Sequence, residues 1–195
     1  PLFILYNKAT IPDRKKNLKK YKKVLNSLLE GCKFLQKNKC KFISIPCNTA
    51  HYWYSDLKNK VKIPILNMPE LVYKSASRSC KKQTKIGLLA TDATIKTKIY
   101  SNFFNKNFDL CVPPKKIQIN NVNKSIKLVK MGKTKEAEKA LKPAVKYLLK
   151  INCKKIILGC TELPIAIFAY KSFKKAKLSK TFLDPNLILA EASMK

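Results

Sequence analysis

The chain is short of arginine, acid, glycine and histidine, and each shortage narrows what it can be. Of its 42 basic residues only Arg14 and Arg78 are arginines, so 40 lysines face 11 acidic residues and the formal net charge is +31. Nucleic-acid recognition favours arginine for bidentate and stacked contacts and gathers its charge on one face. Here the lysines are spread over every segment and no familiar nucleic-acid-binding motif occurs. The expectation is a lysine-biased, solvated surface with no nucleic-acid partner; a basic nucleic-acid-binding protein is the rival reading. The charge still draws small anions, over a reach of about 8 Å at physiological ionic strength. Four glycines leave no room for a glycine-rich phosphate loop as a central element. One histidine, with seven cysteines that form no C-x-x-C pair, argues against a metal site. No run approaches roughly 18 uninterrupted apolar residues, which argues against a membrane span or membrane partner. An odd number of cysteines without a secretory context reads as reduced thiols in a cytoplasmic protein.

What is present is a pattern written twice. Lys33–Cys47 reads KFLQKNKCKFISIPC and Lys146–Cys160 reads KYLLKINCKKIILGC, at a constant offset of 113 residues, with seven of fifteen positions identical. Each copy is a helix tail, a turn and an apolar strand, ending on a cysteine followed closely by a hydroxyl-bearing residue. At 195 residues and 46% hydrophobic, the chain is long enough for two small lobes with a real core. Strands alternating with helices argue for α/β architecture, with two pseudo-symmetric lobes, each a parallel sheet flanked by helices, and a cleft between them. Residues 1–82, completed by 183–195, form the first expected lobe, and 83–182 the second. Lys85 stands 75 residues before Cys160, whereas only 46 residues precede Cys47. By that comparison about 29 residues of a strand and helix are absent from the first lobe, and the chain reads as N-terminally incomplete. A targeting signal in such a segment would lie outside this sequence.

Leu2–Tyr6 reads as a buried strand, and a helix is expected from about Asp13 to Lys37, because Leu18, Tyr21, Leu25, Leu28, Cys32 and Leu35 share one face. Phe42–Pro46 and Ile63–Asn67 are expected strands, and a helix follows from about Glu70 to Cys80. In the second half, strands are expected at Ile86–Ala90, Ile117–Ile119, Ile156–Leu158 and Thr181–Leu183. Helices are expected up to Phe104 with Asp92 or Thr94 as cap, at 122–131, at 135–150 with Pro143 as a local disturbance, from Pro164 to Phe173, and from Pro185 onward. Tyr52-Trp53-Tyr54 reads as packing between helix and sheet.

In parallel sheets, ligands collect at the carboxyl ends of strands, where helix N-termini point inward. Cys47 and Cys160 fall there. Only about 3% of an unperturbed thiol is ionised at pH 7, and a helix N-terminus raises that fraction. Cys32 and Cys111 read as small core residues. Cys40 and Cys153 precede the strands, at the end away from any cleft, and read as structural.

The runs IPCNTAH (Ile45–His51) and ILGCTEL (Ile157–Leu163) resemble the two signature motifs of the aspartate/glutamate racemase superfamily. The resemblance continues through IPDR (Ile11–Arg14), IPILNM (Ile63–Met68), GLLATDATIKTKIY (Gly87–Tyr100), VKMGK (Val129–Lys133) and DPNLILA (Asp184–Ala190). His51 and the run Glu162-Leu163-Pro164 fit the aspartate racemase branch and depart from the glutamate racemase pattern.

That resemblance implies an amino-acid racemase without pyridoxal phosphate or metal, acting on aspartate or a similar acidic amino acid. One cysteine as thiolate removes the α-proton, and the other as thiol protonates the opposite face. By the same resemblance Arg14 and Lys130 look like carboxylate anchors, while Asn48, Thr49, Thr91, Thr94 and Thr161 match substrate-binding positions. His51 and Glu162 flank the cysteines as candidates for orienting them. Asn48, Thr49, Thr91 and Thr94 also suit plain helix capping. Sister activities such as dicarboxylate isomerisation or decarboxylation, or an inactive paralogue, are the alternatives within the superfamily. Relatives are often dimers, and a homodimer is allowed for, though no residue of this chain shows it.

Overall fold

A computed structural model of the chain describes residues 2–14, 18–168 and 180–194. Its strands are β1 (Lys85–Ala90), β2 (Asp109–Cys111), β3 (Lys155–Gly159) and β4 (Phe182–Leu183), which form one parallel sheet of order β2-β1-β3-β4. The longer helices are α1 (Tyr21–Lys37), α2 (Tyr54–Lys60) and α3 (Met68–Ser79), then the short α4 (Asp92–Lys96), α5 (Ser101–Phe104) and α6 (Lys115–Ile117). They are followed by α7 (Lys124–Lys130), α8 (Thr134–Lys150), α9 (Leu163–Phe168) and α10 (Pro185–Ser193). This is the α/β class the alternation predicts.

β1 and β3 are near-continuous apolar runs, buried at every residue but the first, as a parallel sheet covered on both faces requires. Leu89, Ile156 and Leu158 point to one face and pack with Leu141, Val145 and Leu148 of α8. Ile86, Leu88, Ala90 and Ile157 point to the other and pack with Val72 and Ala76 of α3 and with Tyr100 and Phe104. A third cluster belongs to the first half: Val24, Leu25, Leu28 and Cys32 of α1 close over Ile43, Trp53, Leu57 and Ile65. α10 packs against α3, and its Ser193 hydroxyl meets that of Ser44 at 2.6 Å.

Several expectations change. Leu2–Tyr6 is not a strand: no strand among the described residues pairs with it, and Leu2, Phe3 and Leu5 lie exposed. An apolar run needs a neighbour for its backbone groups as well as a face to bury. The strands expected at Phe42–Pro46 and Ile63–Asn67 reduce to one parallel bridge, with Ile43 N–H donating to Pro64 at 2.8 Å and Leu66 N–H to Ile43 at 2.9 Å. The first half therefore has a bridge where a second sheet is expected. Ile117–Ile119 is helical, entering a π-helical turn over Gln118–Asn123, because Pro114 accepts from Gln118 N–H and starts a helix there. The strand beside β1 is instead Asp109–Cys111. Helix α1 begins at Tyr21 after a 3₁₀ turn over Leu18–Lys20. The helix expected up to Phe104 divides into α4 and α5 near Lys98, where φ is +55°. Residues 169–173 of the helix expected from Pro164 lie outside the described residues. Trp53 is fully buried as expected, with its indole N–H donating to Tyr21 O at 3.1 Å, whereas Tyr52 is exposed.

The sequence repeat is a structural repeat. α1 ends with Cys40 N–H donating to Leu35 O and Lys39 N–H to Gln36 O; α8 ends with Cys153 N–H donating to Leu148 O and Asn152 N–H to Leu149 O. Lys39 (φ +59°) and Asn152 (φ +66°) hold the same left-handed position of a Schellman stop. Each chain then runs extended into its second cysteine, where Cys47 N–H donates to Ile45 O and Cys160 N–H to Leu158 O, both at 2.8 Å.

Candidate active site

Gly159 and Ala90 are register partners at the carboxyl ends of β3 and β1, so Cys160 and Thr91 emerge side by side. A side chain at Gly159 would meet Leu88, Ala90 and the Leu89 carbonyl within 2.9–3.3 Å; glycine there lets the two strand ends close on each other. Cys47 comes to the same place from the first half. The cavity between them has a volume of about 260 Å³ and is lined by Ile11, Asp13, Arg14, Cys47, Asn48, Thr49, Thr91, Lys130, Gly159, Cys160, Thr161 and Glu162. Eight of the nine expected catalytic and substrate-binding residues thus meet in one cavity. The ninth, Thr94, lies beneath it.

Thr91 caps α4 by accepting from Thr94 N–H, so of the capping candidates Thr91, Asp92 and Thr94 it is Thr91 that takes the role. Thr94 is 1% exposed and its hydroxyl joins those of Thr91 at 3.1 Å and Thr49 at 2.9 Å. It ties together two lining residues from opposite halves. Lys130 is the last residue of α7; Gly132, at φ +73°, stops that helix, with Lys133 N–H donating to Leu128 O and Gly132 N–H to Val129 O.

Glu162 is the polar hub on the second side. Its carboxylate accepts from the Cys160 thiol at 2.9 Å and the Thr161 hydroxyl at 3.0 Å, and pairs with the Lys130 ammonium at 3.2 Å. Burial alone would push this carboxyl up, but those two hydrogen bonds and Lys130 outweigh it and hold Glu162 below the ordinary carboxylate value. It is an acceptor, ionised at neutral pH.

His51 serves the first side from behind. It does not line the cavity; it is 6% exposed, with Nδ1 3.0 Å from the Cys47 carbonyl, and Nε2 accepting from Met68 N–H at 3.1 Å and standing 3.3 Å from the Leu66 carbonyl. That pairing makes Nδ1 the protonated nitrogen, donating to Cys47 O. Burial lowers the His51 pKa, against the backbone hydrogen bonds that raise it.

Ile11, Asp13 and Gly159 line the cavity without being singled out by the sequence, and Tyr100 stands behind Asn48. Ile11 and Asp13 lie inside the IPDR run and Tyr100 closes the GLLATDATIKTKIY run, so the motifs contained them without marking a role. The Tyr100 phenol donates to Asn48 Oδ1. The other thiols stand apart: burial pushes Cys32 up to about 11 and Cys153 up to about 12, as structural cysteines require. Among the described residues no three His, Cys, Asp or Glu side chains gather as a metal site, and no helix is long and apolar enough to cross a membrane.

A parallel α/β sheet with two cysteines at equivalent strand ends, meeting in one polar cavity, defines a class of two-thiol proteins. The sequence matches the Asp/Glu/Hydantoin racemase family over residues 1–193, and the chain belongs to that family. It is similar to the structure of the Picrophilus torridus aspartate racemase, with a TM-score of 0.77 and 27% identity, covering 97% of this chain and 79% of that one. It is 27% identical to the broad specificity amino-acid racemase RacX of Bacillus subtilis over 137 residues, 70% of this chain and 59% of the relative's length. A Pectobacterium carotovorum protein of uncharacterised role is 34% identical over 116 residues, 59% of this chain and 75% of its own.

Proposed function

We propose that the protein is a cofactor-independent racemase that interconverts the enantiomers of aspartate or a similar acidic amino acid by two-thiol proton transfer. One observation carries this: Cys47 and Cys160, the matched ends of the repeat, line one cavity with Arg14 and Lys130. Inversion at carbon needs a base on one face of the planar intermediate and an acid on the other, and one thiol from each half supplies that layout. The Cys160 proton is held toward Glu162, which favours Cys160 as the acid and Cys47 as the base in one direction; the roles exchange in the other. Arg14 offers a planar fork for a carboxylate, and Lys130 reaches a second carboxylate by leaving Glu162. Asn48, Thr49, Thr91 and Thr161 supply amide and hydroxyl groups for the charge that develops on the α-carboxylate.

The partner in this reading is a small acidic amino acid rather than nucleic acid or a membrane, and the two lobes are 1–82 with 183–195, and 83–182. All seven cysteines are free, which supports a reducing, cytoplasmic setting. A homodimer, expected of the family, is checked by sedimentation.

The test is incubation with L-aspartate in heavy water without added cofactor, following D-aspartate by chiral chromatography and deuterium at the α-carbon. D-aspartate that disappears in both Cys47→Ala and Cys160→Ala supports the reading. Exchange without D-aspartate indicates one working thiol and a sister reaction. Absence of exchange with aspartate, glutamate and neutral amino acids overturns it and brings the nucleic-acid reading forward.

A further inference from the structure

We infer that Tyr100 is a positioning residue: its phenol holds Asn48 Oδ1 so that the amide nitrogen of Asn48 faces the cavity as a donor for a substrate carboxylate. This rests on the racemase reading of the cavity.

Tyr100 is fully buried, with its ring 6.1 Å from that of Phe104 in the core beneath β1. From there it reaches across 52 positions of sequence to Asn48, itself 3% exposed. Asn48 Oδ1 is thereby occupied, while Nδ2 is buried and has no hydrogen-bond partner among the described residues. Asn48 also lines the cavity that holds both cysteines and Arg14. A buried amide donor without a protein acceptor, on a residue that lines the cavity with Arg14 and Lys130 as well as Asp13 and Glu162, is a place for an anionic oxygen beside the two cations.

An amide has nearly the same shape after half a turn, so something must decide which end faces the ligand. The phenol decides it. Its single proton goes to Oδ1, which keeps Oδ1 toward Tyr100 and Nδ2 facing away. Burial, with Asp184 and Cys160 nearby, holds the phenol pKa well above its ordinary value, so the group stays a donor throughout the physiological range. Without the hydroxyl, the amide is free to turn its oxygen toward the carboxylate.

The experiment is a double-mutant cycle of Tyr100→Phe and Asn48→Ala in the whole chain, with two readouts. One is racemisation of L-aspartate, resolved into KM and kcat. The other is binding of succinate, a dicarboxylate that has no α-ammonium and cannot racemise, by titration calorimetry. Tyr100→Phe should raise the KM and weaken succinate about tenfold, the worth of one net hydrogen bond to a charged group, with kcat changed by roughly threefold at most. In the Asn48→Ala background the same change should do nothing further. Equal losses in both backgrounds, or an unchanged KM and succinate affinity, overturn the inference while leaving the racemase reading intact. Should Tyr100→Phe not fold, Asn48→Asp carries the test. It keeps an acceptor for Tyr100 and puts a charged oxygen where Nδ2 stands. It should lose succinate more completely than Asn48→Ala, and wild-type affinity would overturn the inference. Wild-type protein that neither racemises aspartate nor binds succinate overturns this inference together with the reading it rests on.

Discussion

The two halves of the molecule share a backbone and differ in what they wrap around it. The helix stop, the first cysteine, the extended segment and the turn at the second cysteine recur with the same hydrogen bonds. Around them the environments diverge. Cys160 leaves a full four-stranded sheet, is buried, and donates its thiol to Glu162. Cys47 follows a single bridge, is partly buried, and is gripped through its backbone carbonyl by His51. A repeated backbone thus delivers two thiols to one cavity, while unlike neighbours give each its own electrostatics. One side is controlled at the sulfur and the other at the main chain.

If the thiols act as a pair, removing either must stop the reaction. Cys47→Ala and Cys160→Ala should each lower racemisation by at least about 10²–10⁴-fold, the contribution of a positioned acid or base. Residual wash-in of deuterium into recovered L-aspartate should differ between the two variants, because each retains a different thiol. Identical residual exchange in both would argue that the unlike surroundings do not matter.

Glu162→Gln sharpens the comparison from the second side. It removes the charged acceptor of the Cys160 proton and frees Lys130 from its ion pair. Hydrogen bonds to charged groups contribute roughly 1.5–3 kcal/mol, so kcat/KM should fall about 10–100-fold. A change at this residue that leaves steady-state rates and their pH profile untouched would reduce Glu162 to a surface carboxylate.

His51→Ala is the matching change on the first side. It leaves Met68 N–H without its acceptor and takes one of two donors from the Cys47 carbonyl, which still accepts from Ala50 N–H, at a cost of about 1–3 kcal/mol of stability. The pH dependence has a definite sign. Burial lowers the folded-state pKa of His51 from its ordinary 6.5, so the unfolded chain binds the proton more tightly. Stability is full above that ordinary value and declines as pH falls below it. Denaturant melts at pH 7 and pH 5 should show that decline in the wild type and a smaller one in the variant.

The paired cysteines were legible because the repeat puts chemistry at a fixed offset, and Arg14, Asn48, Thr49, Thr91, Lys130 and Thr161 because short runs around them resemble known motifs. What sequence could not show is contact across long separations. Tyr100 meets Asn48, and Thr94 sits beneath Thr49, only because two chain halves are folded against each other. His51 was legible as a neighbour of Cys47 but not as a backbone clamp, since its other partners are the Leu66 carbonyl and Met68 N–H, 15 and 17 positions on. The errors in the fold have a similar cause. Leu2–Tyr6 has the composition of a strand and no pairing partner among the described residues, and a three-residue strand such as Asp109–Cys111 carries too few residues for a period to be read.

The smallest expected effect tests the repeat itself. Lys39 and Asn152 occupy equivalent left-handed positions after α1 and α8, yet the two side chains are not equally suited to them. A left-handed backbone costs an ordinary L-residue about 1–2 kcal/mol, while asparagine, which hydrogen-bonds locally, is tolerated better and glycine best. Lys39→Gly should therefore stabilise the protein by about 0.5–1 kcal/mol, after the added entropy of the unfolded chain is subtracted. Asn152→Gly should change stability by only a few tenths of a kcal/mol. Lys39→Asn should recover part of the first gain, and neither glycine variant should alter racemisation, since both positions lie at the end of the extended segment away from the second cysteine. Equal shifts at the two sites in denaturant melts would mean that the two stops are not under the same backbone strain, and the energetic likeness of the two copies would then begin only at the extended segments.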